Sequence, residues 1–264
     1  MSELYLHIGY AKCATTFLQR QVFPKLKLNY LGRHSVINVR PWVDQLTFHD
    51  EVDIDNVAAQ IKNVATHEKN LISDEVFLRP YKCERFLSRL YELKKHFGKI
   101  SIILSIRNQS DLVLSRYVHD YIRFGHDIYD ALDFAGTTEC SYPYCNLHGC
   151  VCRASKVKFI NIPFYNYLLM YQRISKLFDV HFIIFENLYD EIKRLEGVMN
   201  INACPEDWSK LPHMNIHKHD MFYQKVRKQF RSSNEYKQMM NYFASDNKKL
   251  DNMINLDLKK YGYY

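Results

Sequence analysis

Short apolar runs alternate with longer amphipathic stretches along the chain, and this alternation predicts β-strands joined by helices. The runs are rich in β-branched residues, as strands buried on both faces of a parallel sheet usually are. Repeated alternation of this kind is typical of an α/β fold, in which helices flank a central parallel sheet in a three-layer arrangement. The predicted strands cover residues 4–8, 70–73, 100–106 and 180–185.

The amphipathic stretches carry apolar residues at helical spacing. In the stretch 80–97, for example, Phe86, Leu90 and Phe97 lie on one face of the predicted helix, and that face is expected to pack on the sheet. We predict a single domain over residues 1–264, with an irregular insertion at 136–155 where glycine, proline and four cysteines interrupt the periodicity. The predicted helices cover residues 53–67, 80–97, 110–123, 164–178, 220–232 and 246–260.

Composition narrows the class of protein. Apolar residues make up 47% of the chain and charged residues 25%, which is ordinary for a globular protein. No stretch approaches the roughly 18 uncharged apolar residues of a membrane helix, so we expect no membrane span. The first residues lack the basic region of a secretory signal, so we expect a cytoplasmic protein. The net charge of +7 is spread along the chain, which suits an anionic ligand better than nucleic acid.

The loop after the first predicted strand has the features of a phosphate-binding site. Residues 9–19 have the sequence GYAKCATTFLQ, and an amphipathic helix is predicted to follow the loop. A turn of small residues before a helix directs several backbone N–H groups toward one point, where Lys12 adds positive charge. Thr15 and Thr16 have hydroxyls that can donate to phosphate oxygens or cap the helix. A nucleotide-triphosphatase loop has the pattern G-x4-G-K-[ST], which this loop lacks, so that class is disfavoured.

The same loop resembles the 5′-phosphosulfate-binding loop, G-x-x-K-x-[GA]-[ST]-[ST]-x-L-Q, of sulfotransferases that use 3′-phosphoadenosine 5′-phosphosulfate (PAPS). The resemblance implies a P-loop-like α/β fold and sulfuryl transfer from PAPS, with adenosine 3′,5′-bisphosphate as the product and no metal required. Most members have glycine where this chain has Ala14, so the backbone there is expected to tolerate a Cβ atom. The residues implied for binding the 5′-phosphosulfate are Lys12, Cys13, Ala14, Thr15, Thr16 and Phe17.

A second segment resembles the part of the family that binds the 3′-phosphate of PAPS. Arg107 follows the predicted strand 100–106, and Ser115 comes eight residues later in the next predicted helix. Sulfotransferases use an arginine and a serine at this spacing, because a guanidinium and a hydroxyl can bind the 3′-phosphate together. Residues 164–191 are similar to a later helix, strand and turn of the superfamily, so the resemblance covers most of residues 4–195.

Sulfuryl transfer needs a base for the acceptor and positive charge near the leaving phosphate. Glu75 follows the predicted strand 70–73 and resembles the glutamate of the Ser-x-Glu motif that is the base of glycan-type and many bacterial sulfotransferases. Glu75 is therefore the expected base and Asp74 the second candidate, while Lys12 is expected to neutralise charge on the bridging oxygen. By analogy with that branch, the acceptor is a hydroxyl of a carbohydrate or glycolipid. The residues alone also allow both carboxylates merely to cap the next helix.

Two other functions are left open by the residues alone. A P-loop kinase for a small molecule would need a triphosphate loop and a Mg²⁺-binding aspartate after an apolar strand, and the sequence LISDE at 71–75 has such an aspartate. A non-catalytic protein could have kept the sulfotransferase fold for binding alone. Each of these alternatives predicts a different result from that of a PAPS-dependent sulfotransferase when nucleotide binding and sulfate transfer are measured.

Several other residues invite a functional interpretation that we do not favour. Four cysteines have the spacing C-x4-C-x4-C-x-C, which is atypical of zinc sites, so zinc and a disulfide are less favoured than free thiols in an acceptor-binding loop. His7 is predicted to be structural, and His119 and Arg123 to lie on a helix surface. The run 213–219 is predicted to be a loop that could bring Lys218 to the cofactor. The four cysteines are Cys140, Cys145, Cys150 and Cys152, with His148 among them.

Overall fold

The computed structural model describes residues 2–32, 35–37, 39–78, 83–118, 132–133, 160–201, 208–210 and 221–264. The chain divides into two compact units. The first unit consists of Met1–Ile106 and Arg173–Met214, and the second of Arg107–Gln172 and Asn215–Tyr264. The prediction of one domain over the whole chain stays a prediction.

Strands and helices alternate along the described residues, and none of the described helices has the length and apolar character needed to cross a membrane. The strands are β1 (Glu3–His7), β2 (Asn29–Gly32), β3 (Lys69–Ser73), β4 (Lys99–Ile106), β5 (Leu132–Asp133), β6 (Ile160–Asn161) and β7 (Asp179–Ile184). The α-helices are α1 (Thr15–Phe17), α2 (Arg40–Phe48), α3 (Ile54–Val64), α4 (Cys83–Lys94), α5 (Gln109–Arg116), α6 (Tyr167–Ile174), α7 (Leu188–Val198), α8 (Met221–Arg231) and α9 (Asn234–Ile254).

A parallel sheet of five strands, in the order β2-β3-β1-β4-β7, forms the centre of the first unit. Four of these strands match the four predicted ones to within one residue at either end, so the predicted central parallel sheet is confirmed. The sequence pattern missed β2, because this strand has only four residues and only the last two are buried. In the second unit, β5 and β6 pair with each other.

Helices cover both faces of this sheet. On one face, strand residues such as Tyr5, Leu71 and Ile103 join a core cluster with the helix after β1 and with α7. Side chains alternate along a strand, so the buried residues between them point to the other face. The right-handed crossovers usual between parallel strands would place α2, α3 and α4 on that second face, and the apolar sides of these helices are buried. The predicted three-layer α/β architecture is therefore confirmed.

The strand order determines where a ligand site is expected. From β1 the chain passes to β2 on one side of the sheet, and from β4 it passes toward β7 on the other side. Open α/β sheets bind ligands at the carboxyl ends of the two strands where the direction of winding reverses. The loop after β1 begins at this point, and so does the polypeptide that follows β4.

The predicted helix after the first loop is present but irregular. It starts as α1, continues as a π-helical turn over Leu18–Val22 and ends as a 3₁₀ turn over Phe23–Lys25. A π turn adds a residue to the helical turn and is often found at functional sites. In this protein the turn buries the polar side chain of Gln19 together with its apolar neighbours.

The remaining helix predictions differ from the structure mainly at the ends. Predicted helices 53–67, 80–97 and 220–232 correspond to α3, α4 and α8, and each end is shifted by at most three residues. Predicted helix 164–178 consists of the 3₁₀ turn Pro163–Tyr165 followed by α6, because Asn166 caps α6 by accepting from the N–H of Leu169 at 3.1 Å. The sequence pattern did not predict α2 or α7.

The largest difference in the second unit concerns α9. The sequence predicts a helix over 246–260, whereas α9 starts at Asn234, where Ser233 caps it by accepting from the N–H of Tyr236 at 3.1 Å. Two core positions of α9 are occupied by polar residues, Asn247 and Asp251. The predicted helix already contains these two residues. The part of α9 that it misses is residues 234–245, and its last residues belong to the 3₁₀ turn Leu258–Tyr261.

Candidate active site

The loop between β1 and α1 is anchored at its start by the neighbouring strand β4. The N–H of Ile8 donates to the carbonyl of Ile103 at 2.9 Å, and the N–H of Tyr10 donates to the carbonyl of Ser105 at 3.3 Å. Tyr10 is fully buried beneath the loop. The loop is therefore built on the most central strands of the sheet, which hold its backbone in a defined position.

Two residues of this loop have a left-handed backbone. Lys12 has a φ angle of 73°, and Ala14 has a φ angle of 59° and a ψ angle of 15°. Left-handed residues turn successive N–H groups toward one concave side, which is a geometry suited to an anion. The N–H groups of Thr15, Thr16 and Phe17 lie in the first helical turn, where a helix has no carbonyl of its own to receive them.

Ala14 carries a Cβ atom and occupies the left-handed region that favours glycine. A non-glycine residue in this region costs about 1–2 kcal/mol. The alanine therefore places strain in the loop.

The Ala14→Gly substitution is expected to raise Tm by about 2 °C, because relief of strain exceeds the added entropy of the unfolded chain. Ala11→Gly is a matched control, since Ala11 lies in the same loop without a positive φ angle. That control is expected to lower Tm. Thermal unfolding of both variants tests this, and equal destabilisation by the two substitutions would show that the backbone at Ala14 is not strained.

Gly9 is required by close packing rather than by its φ angle. A Cβ atom added at Gly9 would lie 2.5 Å from Cγ2 of Thr15 and 3.3 Å from Nε2 of His7. Contacts of 2.5 Å do not occur between real side chains, so any larger residue at this position would displace Thr15. Gly9 thus allows the start of α1 to lie directly against the end of β1.

The predicted base lies beside the loop. Glu75 belongs to the 3₁₀ turn Glu75–Phe77 that follows β3, and it is half-buried. The hydroxyl of Thr15 donates to Oε2 of Glu75 at 3.1 Å. Two of the residues predicted from separate motifs are therefore in direct contact, although they are 60 positions apart in sequence. The Thr15 hydroxyl is thus hydrogen-bonded to Glu75, while the N-cap position of α1 is occupied by Ala14, whose side chain cannot cap the helix.

Asp74, the second candidate base, has a different environment. Its side chain is 1% exposed, and Nη1 of Arg40 lies 3.4 Å from its Oδ2. Burial, followed by the nearby Asp74 carboxylate, raises the pKa of Tyr30. Asp74 is thus a buried carboxylate with a cationic partner, whereas the Glu75 side chain reaches the surface.

A buried polar network lies under the loop and connects three strands. Nδ1 of His7 is 2.7 Å from Oγ of Ser73, and Nε2 of His7 is 2.7 Å from Oγ of Ser105. Nε2 of Gln19, from the π turn, donates to Oγ of Ser73 at 3.0 Å. A neutral imidazole donates from one nitrogen and accepts at the other, so it can bridge both hydroxyls. The ring of His7 also contacts Phe23 edge-on, with the centroids 5.0 Å apart.

Burial lowers the pKa of His7 to about 3, because the charged imidazolium loses its hydration in the protein interior. His7 is therefore neutral at ordinary pH, which agrees with the structural role expected for it. Gln19 and Ser73 belong to the two motifs described from the sequence, but the network that they form with His7 and Ser105 was not predicted. Ser73 and Ser105 are hydroxyl residues near the ends of apolar strands, and that position was the available signal.

In the second unit, Arg107 and Ser115 flank the body of α5. Arg107 is half-buried, and its carbonyl accepts from the hydroxyl of Tyr167 at 2.6 Å. Tyr223 of α8 is hydrogen-bonded to the guanidinium of Arg107; burial raises the pKa of this phenol, and the guanidinium opposes that shift. Ser115 is buried on α5. Tyr223 was not predicted as a site residue, and a late tyrosine in an amphipathic helix carries no distinguishing sequence signal.

Several sequence predictions lie outside the described residues. They are the insertion 136–155 with its cysteines, the loop 213–219 with Lys218, and the residues His119 and Arg123. Within the described part of the chain, no group of three or more histidine, cysteine or acidic side chains could hold a metal ion.

Comparison with known proteins bears on the fold. No protein-family model and no curated protein matches this sequence. Among solved structures, a sulfotransferase from Alicyclobacillus acidocaldarius is similar, with a TM-score of 0.54 and 13% sequence identity over 97% of both chains. Its strand and helix arrangement is thus shared along nearly the whole chain despite the low identity. The resemblance predicted from the two short loops is confirmed at the level of tertiary structure, and this protein has the sulfotransferase fold.

Proposed function

We propose that this protein is a PAPS-dependent sulfotransferase that transfers a sulfuryl group to a hydroxyl of a carbohydrate or glycolipid. The observation that carries the proposal is the 3.1 Å hydrogen bond from Thr15 to Glu75. It joins an anion-binding loop to a surface-reaching carboxylate at the carboxyl edge of the sheet. A sulfotransferase needs these two functions together, because the acceptor attacks the group that the loop holds.

The donor is proposed to bind through both of its phosphorylated ends. The N–H groups from Ala14 to Phe17, together with Lys12, would hold the 5′-phosphosulfate. Arg107 and Ser115 would hold the 3′-phosphate, and Tyr223 would steady the guanidinium of Arg107. Supporting this assignment, β1 and β4 are adjacent in the sheet, and Arg107 is the residue after the last residue of β4.

In the proposed reaction, Glu75 accepts the proton of the acceptor hydroxyl as that oxygen forms a bond to sulfur. The bond between sulfur and the bridging phosphate oxygen breaks, and adenosine 3′,5′-bisphosphate leaves with the electron pair. Lys12 stabilises the negative charge that develops on that bridging oxygen. Thr15 fixes the orientation of the Glu75 carboxylate through its hydrogen bond. Glu75 is preferred to Asp74 because the Asp74 side chain is buried beside Arg40, whereas Glu75 is only half-buried.

The acceptor class is proposed by analogy with the branch of the superfamily that has a glutamate base. The branch of the superfamily that the loops resemble uses a glutamate for sugar hydroxyls, and Glu75 occupies the corresponding strand end. A carbohydrate hydroxyl has a high pKa, so its proton must be removed as the bond to sulfur forms. Glu75 follows β3 and is partly exposed, so an acceptor hydroxyl could reach its carboxylate.

Calorimetric titration with adenosine 3′,5′-bisphosphate tests the donor assignment. Lys12→Ala and Arg107→Ala are each expected to weaken binding by about 10- to 150-fold, because each removes charge-assisted hydrogen bonds to a phosphate. Lys95→Ala is the matched control, since Lys95 is exposed on the surface and pairs with Glu92. Its affinity should equal that of the wild type.

The same titration distinguishes the kinase alternative. A sulfotransferase should bind the bisphosphate in preference to ATP with Mg²⁺, and a P-loop kinase should show the reverse order. Unchanged affinity for the bisphosphate in both the Lys12 and Arg107 variants would overturn the assignment of the donor site.

A further inference from the structure

Asn108, the residue after Arg107, has two structural roles. Oδ1 of Asn108 accepts from the N–H of Ser110 at 3.0 Å and from the Ser110 hydroxyl at 2.6 Å, and thereby caps α5. Nδ2 of the same side chain donates to the carbonyl of Gly262 at 2.6 Å and to that of Tyr261 at 3.4 Å. The turn that carries Arg107 is therefore tied to residues 258–264, which we call the 258–264 segment.

A second tie joins the same turn to the same segment. The amides of Gln109 and Asn247 are paired reciprocally, at 2.9 Å and 3.0 Å. Asn247 also donates to the carbonyl of Tyr263 at 2.9 Å. Both amides are almost fully buried, with 2% and 1% of their surface exposed. Buried amides with every group satisfied are rigid, because breaking one bond leaves a polar group without water.

The 258–264 segment is itself fixed at both ends. Asp251 accepts from the N–H of Leu258 at 3.0 Å and from the hydroxyl of Tyr264 at 2.7 Å. Between these points, Tyr263 is fully buried and its ring lies 6.3 Å from that of Tyr167. Tyr167 is the residue whose hydroxyl donates to the carbonyl of Arg107. The backbone at Arg107 is thus held by two sets of hydrogen bonds. One is from Tyr167 to the Arg107 carbonyl, and the other is from the Asn108 side chain to the 258–264 segment.

From this arrangement we propose that the 258–264 segment positions Arg107 for recognition of the 3′-phosphate of the donor, an inference that rests on the proposed function. The segment need not touch the ligand. It fixes the position of the backbone from which the Arg107 side chain extends. Bidentate binding of a phosphate by a guanidinium depends on the orientation of that guanidinium. The segment would therefore select between nucleotides with and without a 3′-phosphate, and Asn108, Asn247 and Tyr263 would be positioning residues.

The test compares the Kd of adenosine 3′,5′-bisphosphate with the Kd of adenosine 5′-monophosphate, both measured by calorimetry. Asn247→Leu removes the amide while keeping a side chain of similar size. Asn108→Ser keeps a residue that caps helices well but removes the donor to Gly262 and Tyr261. Ser233→Ala is the matched control, because it removes the cap of α9 and destabilises the same helix without touching the segment.

We expect both positioning variants to reduce the preference for the bisphosphate by about tenfold, with the affinity for the monophosphate nearly unchanged. The control should keep the wild-type preference, and thermal unfolding shows which variants are folded. The inference is overturned if the folded variants keep the wild-type preference, or if they weaken both nucleotides equally, which would indicate a purely structural role. Asn108→Ser decides the question if Asn247→Leu does not fold.

Different results would contradict the assignment of the 3′-phosphate site and the positioning role of the 258–264 segment. If the wild-type protein binds both nucleotides equally, or if Arg107→Ala keeps the preference, the assignment of the 3′-phosphate site is wrong and the inference falls with it. If Arg107→Ala abolishes the preference while both positioning variants retain it, the proposed function stands and only the role of the segment is rejected.

Discussion

Replacing Glu75 with glutamine is expected to lower kcat by about 10²- to 10⁴-fold, which is the usual contribution of a general base. Glutamine has nearly the same shape, and its amide oxygen can still accept the hydrogen bond from Thr15, so the local structure should be retained. It cannot accept the acceptor proton. The measurement is transfer of labelled sulfate from PAPS to a panel of carbohydrate and glycolipid acceptors, made with the wild-type protein and the variant.

Two controls distinguish loss of the catalytic base from loss of donor binding or of the folded structure. The Kd for adenosine 3′,5′-bisphosphate should be the same in Glu75→Gln as in the wild type, because the carboxylate is not assigned to the donor. Asp74→Asn should affect stability more than turnover, since Asp74 is buried beside Arg40. Full turnover in Glu75→Gln together with loss of turnover in a folded Asp74→Asn would transfer the role of base to Asp74. A wild-type protein that binds the bisphosphate but sulfates no acceptor would favour the non-catalytic alternative.

The His7 network is expected to make the protein lose stability in acid. The folded-state pKa of His7 is about 3, below the ordinary value of 6.5. Between these two values the unfolded chain takes up a proton that the folded protein does not, so the free energy of unfolding falls as pH is lowered from about 6.5 toward 3. The expected contribution of this one residue is about 1.4 kcal/mol per pH unit, or several degrees in Tm.

Thermal unfolding between pH 7.5 and pH 4.5, compared for the wild type and His7→Gln, measures this contribution. Glutamine can both donate and accept between Ser73 and Ser105, but it has no proton to gain in this range. The variant should have a lower Tm at pH 7.5, because the packing of the ring on Phe23 is lost. Its Tm should fall less steeply with acid than that of the wild type. Parallel curves for the two proteins would mean that His7 is not buried in its neutral form.

Local sequence patterns were sufficient for much of the fold. The four principal strands were predicted to within one residue, because each is a short apolar run of typical strand length that alternates with longer amphipathic stretches. The patterns failed where the local signal is weak or broken. The edge strand β2 is short and half-exposed, and α9 starts at Asn234, well before residue 246, where the helix was predicted to begin.

Part of the candidate site could likewise be predicted from the sequence, and part of it could not. Lys12, Glu75 and Arg107 each follow a recognisable strand, so their placement at strand ends could be predicted from the chain alone. The contact between Thr15 and Glu75 could not, because it depends on β3 lying next to β1 in the sheet. The strained backbone at Ala14 was also beyond the sequence, which shows an ordinary alanine and not its φ angle.

The amino-acid sequence by itself determined the fold class, the two motifs proposed to bind phosphate and the carboxylates proposed as a base, since these depend on local periodicity and spacing. Only the tertiary structure decided which carboxylate reaches the surface, which polar residues brace the loop from below, and which distant segment holds Arg107. These features are made by contacts between residues far apart in the chain. Such contacts follow from strand order and from the need of each buried polar group for a partner, and neither is visible in a short stretch of sequence.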